Sequence, residues 1–284
     1  MKHRTALFIA LLVVWVGAGC TTRITQALHT PESALHDPVA DVYLISNING
    51  SPFGEDGKGY IARIAPDGEI LVEKWIDGET ADTTLNAPKG MAIVGDVLWV
   101  ADVNVVRRFD RESGAPRGEV AIEGASFLND VAAGPDGTVY VADSGFGPGF
   151  TPTGSDAIYA IRGEEVQAVL KSADLGQPNG VLYVDDTLYF VTWATGELRR
   201  VTSDGGHELV AKLPAAQLDG LVRAGNSFLV SSWEGKAIYR VMPDRSVRTV
   251  AEELDGPADI GYDAERDRLL VPWFNLDRLD VRSN

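Results

Sequence analysis

The sequence contains very little cysteine and few basic residues. Cys20 is the only cysteine among 284 residues, so no disulfide can form within the chain. Lys and Arg number 25 against 41 Asp and Glu, a net charge of −16. Such a surface repels nucleic acid and anionic lipid headgroups. The fold must therefore rest on its apolar core, and no nucleic-acid partner is expected.

A long apolar run occurs only at the N-terminus. Lys2 and Arg4 precede an apolar stretch over residues 6–16, and three small residues then lead to Cys20. The stretch is too short to cross a bilayer comfortably, and its layout is typical of a signal peptide over residues 1–20. Removing that segment would change the net charge from −16 to −18, because it carries two basic residues and no acidic one.

The segment VGAGC (16–20) resembles the lipobox of bacterial lipoproteins, although Gly17 replaces the usual Leu or Val. The resemblance predicts a lipid on Cys20, and hence a lipid bilayer as a partner. Thr21 follows in place of the Asp that retains many lipoproteins at the inner membrane, which favours the outer membrane, facing the periplasm. The alternative is an ordinary secretory signal cut after a small residue.

The remaining chain lacks any sustained helical stripe and instead repeats one pattern six times. Each repeat begins with a polar-start strand, as in PESAL, PKGMAI, LNDVAA, PNGVLY, LDGLVR and PADIGY, starting at positions 31, 88, 128, 178, 218 and 257. A second strand follows with alternating aromatic and β-branched residues, as in VLWVAD (97–102) and LYFVTW (188–193). Third and fourth strands form hairpins such as YIARIAPDGEILVEKW (60–75).

Four strands repeated every 40–55 residues or so predict an all-β fold, a six-bladed β-propeller of four-stranded antiparallel blades around a central channel. A single domain would span residues 31–284. The sixth unit is one strand short, and RITQAL (23–28) could complete it and remove an exposed sheet edge. The alternative is that residues 21–30 form only a tether.

The polar strand starts should converge, because the innermost strands of a propeller ring the channel and begin on one face. The residues at these positions are Glu32, Lys89, Asn129, Asn179, Asp219 and Ala258. Asp130 and Asp259 follow one position later. Two carboxylates and two amide carbonyls, without His or Cys, suit a hard cation such as Ca²⁺ better than Zn²⁺. The alternative is that these residues only turn the chain and solvate the channel.

At these residues the sequence resembles the gluconolactonase/regucalcin-like six-bladed propellers (the senescence marker protein type), whose distant relatives include paraoxonase and diisopropyl fluorophosphatase. The resemblance lies in PES, FLND, QPNG and QLDG, in that order along residues 31–282. It implies a metal site formed by Glu32, Asn129, Asn179 and Asp219. It also implies that Asp219 is the base or nucleophile, and that Asn129 contacts the metal, its water or the substrate.

Two residues of this sequence differ from the pattern of that family. Phe127 stands where the sugar-lactonase branch has Arg, two residues before Asn129, so a sugar lactone is a doubtful substrate. Lys89 adds a cation to the ring of strand starts, where it would either pair with Glu32 or assist as an oxyanion partner. Together with Asp130, Asp259, Trp193 and Trp233, these two residues form the predicted substrate pocket. The alternative role for the two tryptophans is packing between blades.

Two functions remain open at this stage. The first is a calcium-dependent hydrolase that opens a lactone or related ester and is anchored in the bacterial envelope. The second is a non-catalytic envelope propeller that binds a small ligand or a protein partner, because propellers are often scaffolds. The intact set of Glu32, Asn129, Asn179 and Asp219 favours the enzyme. Lys89 and Phe127 favour the binding protein.

Overall fold

A computed structural model describes residues 21–284. These residues form six sheets of four antiparallel strands arranged as the blades of a propeller, which confirms the predicted fold. The predicted signal peptide (1–20), with Cys20, lies outside the described residues. Within residues 21–284 no helix is long and apolar enough to cross a membrane.

The strands follow one another blade by blade, and in each of the first five blades the first strand is the innermost. The N-terminal strand β1 spans Thr21–Ile24. Blade one contains β2 (Pro31–Asp37), β3 (Val42–Asn47), β4 (Tyr60–Ile64) and β5 (Ile70–Asp77). Blade two contains β6 (Pro88–Val94), β7 (Val97–Asp102), β8 (Val105–Asp110) and β9 (Pro116–Ala121). Blade three contains β10 (Leu128–Ala133), β11 (Val139–Asp143), β14 (Ala157–Arg162) and β15 (Glu165–Lys171), with the small hairpin β12 (Phe146–Gly147) and β13 (Thr151–Pro152) inserted.

The second half of the ring repeats this order. Blade four contains β16 (Pro178–Val184), β17 (Thr187–Thr192), β18 (Glu197–Val201) and β19 (His207–Lys212). Blade five contains β20 (Leu218–Ala224), β21 (Ser227–Ser232), β22 (Ala237–Val241) and β23 (Val247–Ala251). Blade six contains β24 (Gly261–Asp263), β25 (Arg268–Trp273) and β26 (Arg278–Ser283), and β1 is its outermost strand. Short 3₁₀ turns lie at Pro135–Gly137, Pro148–Phe150 and Phe274–Leu276.

The N-terminal strand completes blade six. β1 pairs antiparallel with β26, from Thr21 opposite Arg282 to Ile24 opposite Leu279. The strand begins and ends earlier than the segment expected from the sequence, residues 23–28. Ile24 is buried beside Leu279 and Val281, whereas the chain after it turns away toward blade one and buries Leu28. The pairing joins the two ends of the chain in one sheet.

The apolar core is divided into clusters between neighbouring blades and does not form one central cluster. Each pair of neighbouring blades encloses one cluster of apolar side chains, so the middle strands are buried on both faces. Between blades two and three, for example, Trp99 and Val106 pack with Val131, Val141 and Tyr159. This explains why these strands are rich in aromatic and β-branched residues on both faces instead of alternating with polar ones.

The innermost strands carry a β-bulge at their start. In blades two to five the first two paired residues are three apart on the inner strand but two apart on its partner, as in Pro178 opposite Thr192 and Val181 opposite Phe190. Blade one has the same extra residue between Pro31 and Ser33. A bulge re-aims the side chains of its residues. The polar strand-start residues of blades one to five lie in these bulges.

Candidate metal and substrate site

A cavity of about 200 Å³ lies at the start of the inner strands. Five of the six predicted strand-start residues line it, because the bulges of five successive blades place them on one face of the ring. These residues, called the polar floor below, are Glu32, Lys89, Asn129, Asn179 and Asp219. Phe127, Trp193 and Trp233, also predicted from the sequence, line the same cavity.

Glycine allows the bulges of neighbouring blades to lie close together. Gly220 follows Asp219, and a Cβ atom at this position would lie 2.3 Å from the backbone nitrogen of Ile260 in blade six. Gly180 follows Asn179, and its Cβ would lie 2.4 Å from the carbonyl oxygen of Asp219. A side chain at either position would therefore force adjacent inner strands apart. The DG and NG pairs of the sequence thus combine a polar side chain with close blade contact.

Three oxygen atoms of the polar floor have no hydrogen-bond partner within residues 21–284. They are Oε2 of Glu32, Oδ1 of Asn179 and Oδ1 of Asp219, and all three are buried. Buried oxygen atoms are nearly always satisfied by a donor or by a cation, because an unsatisfied one costs the free energy of its lost hydration. The three orphaned atoms belong to residues from three blades that line one cavity. This arrangement fits a bound cation.

Hydrogen bonds hold two side chains of the polar floor, those of Asp219 and Asn129. The indole Nε1 of Trp233 donates to Oδ2 of Asp219 at 2.6 Å, leaving Oδ1 as the unpartnered atom. The Nδ2 atom of Asn129 donates to the Ser144 hydroxyl at 3.0 Å, and that hydroxyl donates to the Pro178 carbonyl at 2.7 Å. The sequence showed only that Trp233 occupies the same position of its repeat as Trp193. It indicated neither the hydrogen bond from Trp233 to Asp219 nor the contact of Ser144 with Asn129.

Burial and mutual repulsion disfavour the charged forms of the carboxyl groups. Burial, together with the neighbouring carboxylate of Asp259, raises the pKa of Asp219 to about 8, although the hydrogen bond from Trp233 opposes that shift. Burial and the charges of Asp219 and Asp259 also raise the pKa of Glu32 well above its usual value. A divalent cation would relieve this repulsion, because it places two positive charges between the carboxylates.

Lys89 is almost fully buried, at 1% exposure, and donates from Nζ to the carbonyl oxygen of Ala87 at 3.0 Å. Its ammonium lies 4.3 Å from the centre of the Phe127 ring, a cation–π arrangement. Burial lowers the pKa of Lys89 to about 8, although the charges of Glu32 and Asp102 oppose that shift. Within residues 21–284 no ion pair of 4.0 Å or less joins Lys89 to Glu32. The ammonium is thus held beside the cavity by a carbonyl and a ring.

Asp130 and Asp259 do not line this cavity, which corrects the sequence-based pocket. Both lie in the channel on the other side of the polar floor, within a separate cavity of about 670 Å³. Asp130 accepts hydrogen bonds from the amides of Val131 and Val181, at 2.6 and 2.7 Å, and Asp259 accepts one from the Ser33 hydroxyl. Asp130 follows Asn129 in the bulge of blade three and points away from it, and the hydrogen bonds of both aspartates join neighbouring blades. The charges of both raise the pKa of Glu32, and that of Asp259 raises the pKa of Asp219.

Part of the cavity wall was not predicted from the sequence. Phe146 and Phe150, in the Gly- and Pro-rich connection of blade three, line it, and so do Ile48, Pro52, Gln217 and Phe274. Phe146 and Phe150 lie in the inserted β12–β13 hairpin, which only blade three has among residues 21–284. No other repeat has residues at equivalent positions, so the repeat pattern could not place them. The composition of that connection, GFGPGF (145–150), was the available signal.

The donor set itself indicates which cations suit the site. Within residues 21–284 no group of three or more His, Cys, Asp and Glu side chains is arranged to hold a metal ion. Beside Lys89, the polar floor offers two carboxylates and two amides, and the atoms with which these four can bind a cation are all oxygens. Calcium accepts such mixed oxygen ligands in flexible geometry, whereas zinc in proteins is usually bound by His or Cys. The residues present therefore fit a calcium-type ion.

Comparison with known proteins supports the fold assignment. No protein-family model and no curated protein matches this sequence. Among solved structures, a gluconolactonase from Xanthomonas campestris is 19% identical, with a TM-score of 0.72, over 94% of this chain and 90% of its own. A calcium-binding regucalcin from Agrobacterium tumefaciens is 18% identical, with a TM-score of 0.63, over 88% and 84%. The chain has the fold of the gluconolactonase and regucalcin propellers.

The same architecture occurs in proteins with other chemistry. A virginiamycin B lyase from Staphylococcus aureus is 16% identical, with a TM-score of 0.62, over 94% of this chain and 99% of its own. The same propeller fold therefore occurs in proteins with different activities. A sequence identity below 20% does not indicate which of these activities a protein has. The choice depends on the side chains of this site.

Proposed function

We propose that this protein is a calcium-dependent hydrolase that opens a lactone or a related ester. The observation that carries the proposal is the convergence of three buried, unpartnered oxygen atoms, from Glu32, Asn179 and Asp219, in one cavity. The gluconolactonase and the calcium-binding regucalcin among the structural neighbours support the same function.

Glu32, Asn129, Asn179 and Asp219 would hold the cation through their oxygen atoms. A bound calcium ion supplies Lewis-acid polarisation of the ester carbonyl and stabilisation of the developing oxyanion. Asp219 is the base or nucleophile in this proposal. Trp233 holds its Oδ2 atom, so the remaining oxygen, Oδ1, would use its two lone pairs for the cation and for a water molecule or the substrate.

Lys89 serves as a second source of positive charge at the cavity. Its Nζ donates one hydrogen bond, to Ala87, and an ammonium has three donors, so further donors are available. We assign it to orienting the carbonyl oxygen of the substrate or the carboxylate of the product. Conversion to Met would keep most of the volume of the side chain and remove the charge, which makes Lys89→Met the variant of choice for this role.

Calcium binding is tested first by thermal unfolding with and without the ion. A ligand that binds only the folded state at 100 times its Kd stabilises it by about 2.7 kcal/mol. We expect this shift in the unmodified protein and its loss in Asp219→Ala. Asp156→Asn is the matched control. Asp156 is a buried carboxyl outside the cavity, and it accepts a hydrogen bond from the backbone amide of Gln177. No calcium-dependent shift in the unmodified protein would refute the metal site.

Hydrolysis is then measured on a panel of lactones and aryl esters with the calcium-loaded protein. We expect turnover that chelator abolishes and calcium restores, and none above background in Asp219→Ala. The panel also decides the second candidate, a non-catalytic propeller that binds a small ligand or a protein partner. The buried Lys89 at the cavity favours that candidate. Calcium-dependent stabilisation with every substrate left intact would establish it.

We also propose that the protein is anchored in the bacterial envelope through a lipid on Cys20, at the outer membrane facing the periplasm. Thr21 begins β1 opposite Arg282, whereas the cavity residue Phe274 lies at the other end of the β25–β26 hairpin. A lipid on Cys20 would therefore lie on the side opposite the cavity and leave the site open to the periplasm. The test is metabolic labelling with a palmitate analogue, which Cys20→Ala should abolish while releasing the protein from membranes.

A further inference from the structure

The cavity is divided into a polar floor and a continuous aromatic wall. Apart from the polar floor and Gln217, its lining is apolar. Six rings line it, from blade three to blade six, and together are called the aromatic wall: Phe127, Phe146, Phe150, Trp193, Trp233 and Phe274.

The rings of the wall contact one another in sequence around the cavity. Phe127 and Phe146 lie 5.7 Å apart between ring centres, and Phe146 and Trp193 lie 6.1 Å apart. Trp193 and Trp233 follow at 5.7 Å, and Trp233 and Phe274 at 5.1 Å. Phe150, at the solvent edge with 49% exposure, contacts Phe146 at 5.5 Å. Mutual packing fixes the wall, so it is present before any ligand binds.

The wall offers few hydrogen-bonding groups to a ligand. Its phenylalanine rings have none, and the indole N–H of Trp233 already donates to Asp219. A ligand covered with hydroxyl groups would exchange its hydrogen bonds to water for contacts with rings, which is unfavourable. A ligand that carries one polar group at one end and apolar carbon elsewhere matches the floor and the wall at the same time.

We propose that the aromatic wall selects a small neutral lactone or ester with an apolar substituent, and rejects polyhydroxylated sugar lactones. This inference rests on the proposed hydrolase function and names the substrate class of that site. The ester group meets the polar floor, and the alkyl or aryl part lies against the wall. The cavity volume of about 200 Å³ restricts the ligand to a small molecule, such as a five- or six-membered ring with a short substituent.

The test compares kcat/KM for δ-valerolactone, δ-octalactone and glucono-δ-lactone with the calcium-loaded protein. Burial of each methylene group contributes about a fourfold preference, so δ-octalactone should exceed δ-valerolactone by roughly 10- to 60-fold. Glucono-δ-lactone should fall below both. Equal or faster turnover of glucono-δ-lactone would overturn the inference while leaving the hydrolase function intact.

Phe150→Ala should reduce the ratio of δ-octalactone to δ-valerolactone turnover, because it removes one ring from the solvent edge of the wall. Leu209→Ala is the matched control, since Leu209 is an equally exposed apolar residue on β19, away from the cavity. That variant should keep the ratio. A ratio unchanged in Phe150→Ala and in Phe146→Ala would contradict the role of the wall.

A binding measurement distinguishes two outcomes, the absence of apolar selectivity and the absence of hydrolase activity. Trp193 and Trp233 lie in the wall, so ligand binding should change the intrinsic tryptophan fluorescence. If no lactone is hydrolysed but δ-octalactone still changes the fluorescence at concentrations at least tenfold below glucono-δ-lactone, the apolar selectivity holds and the hydrolase proposal fails. Aromatic cages also bind quaternary ammonium ions. Tighter binding of choline than of δ-octalactone would overturn the inference.

Discussion

The two carboxylate oxygens of Asp219 have different surroundings, and this asymmetry shapes the site. Trp233 donates to Oδ2 at 2.6 Å, while Oδ1 has no partner and is buried. A carboxylate held at one oxygen keeps a single orientation of the other, which reduces the entropy lost on ligand binding. Trp233 therefore acts as a positioning residue in addition to forming part of the aromatic wall.

Trp233→Phe tests this role because it keeps an aromatic ring and removes the donor. Loss of a hydrogen bond to a charged group is worth about 1.5–3 kcal/mol, so we expect kcat/KM to fall roughly 10- to 150-fold. The decrease should appear mainly in kcat, and calcium affinity should weaken. Trp193→Phe, which alters the neighbouring ring of the wall, should change kcat less than threefold. Equal effects of the two variants would argue against positioning by Trp233.

At the scale of the strand, the bulges at the start of the inner strands generate the site. Each bulge adds one residue to the inner strand, which turns Asn179 or Asp219 into the cavity and sets the following glycine against the next blade. The local sequence therefore serves two purposes, since the polar residue provides an oxygen atom and the glycine permits close contact.

Gly220→Ala tests the requirement for close blade contact. The added Cβ would lie 2.3 Å from the backbone nitrogen of Ile260, and a backbone atom cannot move aside without shifting blade six. We expect the free energy of unfolding to fall by about 1–3 kcal/mol, measured by urea denaturation, with weaker calcium binding. Gly50→Ala is the control, because the nearest atom to its Cβ would be 3.6 Å away, in the side chain of Asp56. Comparable losses in both variants would contradict the explanation.

The parts of this site that could be predicted from the sequence are those that recur in every repeat. The strand-start residues recur at one repeat position, so their assembly on one face could be predicted from the blade pattern alone. The orientation of Asp130 could not, because it depends on the bulge of blade three, which separates the side chains of Asn129 and Asp130. Phe146 and Phe150 occur in one blade only, and their place in the wall depends on how a single irregular connection folds over the cavity.

At the scale of the whole molecule, the ring is closed by pairing between the two ends of the chain. Without β1, strand β26 would present a free edge, and blade six would lose Ile24 from its apolar cluster. A chain that starts at residue 25 should unfold roughly 5–10 °C lower than one that starts at residue 21, for a loss of about 3–5 kcal/mol. It should also associate at high concentration, which light scattering would detect. Equal melting temperatures and equal scattering for the two chains would show that β1 is dispensable.

Polar contacts between blades add to this closure on the face away from the cavity. Asp37 of blade one accepts hydrogen bonds from the guanidinium of Arg111 in blade two, at 2.9 Å from Nε, and from the amides of Val39 and Ala40. Burial by itself would raise the pKa of Asp37, but these hydrogen bonds outweigh it, and the pKa lies below its usual value. The carboxylate is therefore more acidic in the folded protein than in the unfolded chain, where an aspartate titrates near pH 3.9.

A depressed carboxylate pKa stabilises the folded state above the pKa of the unfolded chain, and that contribution disappears as the pH falls through the folded value. Asp37→Asn should therefore cost about 2–4 kcal/mol at pH 7, and the difference from the unmodified protein should shrink between pH 5 and pH 2.5. Urea denaturation at several pH values measures both quantities. Glu208→Gln, which breaks the exposed pair with Arg200 within blade four, should cost less than about 0.5 kcal/mol. A cost for Asp37→Asn that does not change with pH would mean that packing, rather than the charge on Asp37, joins blades one and two at this point.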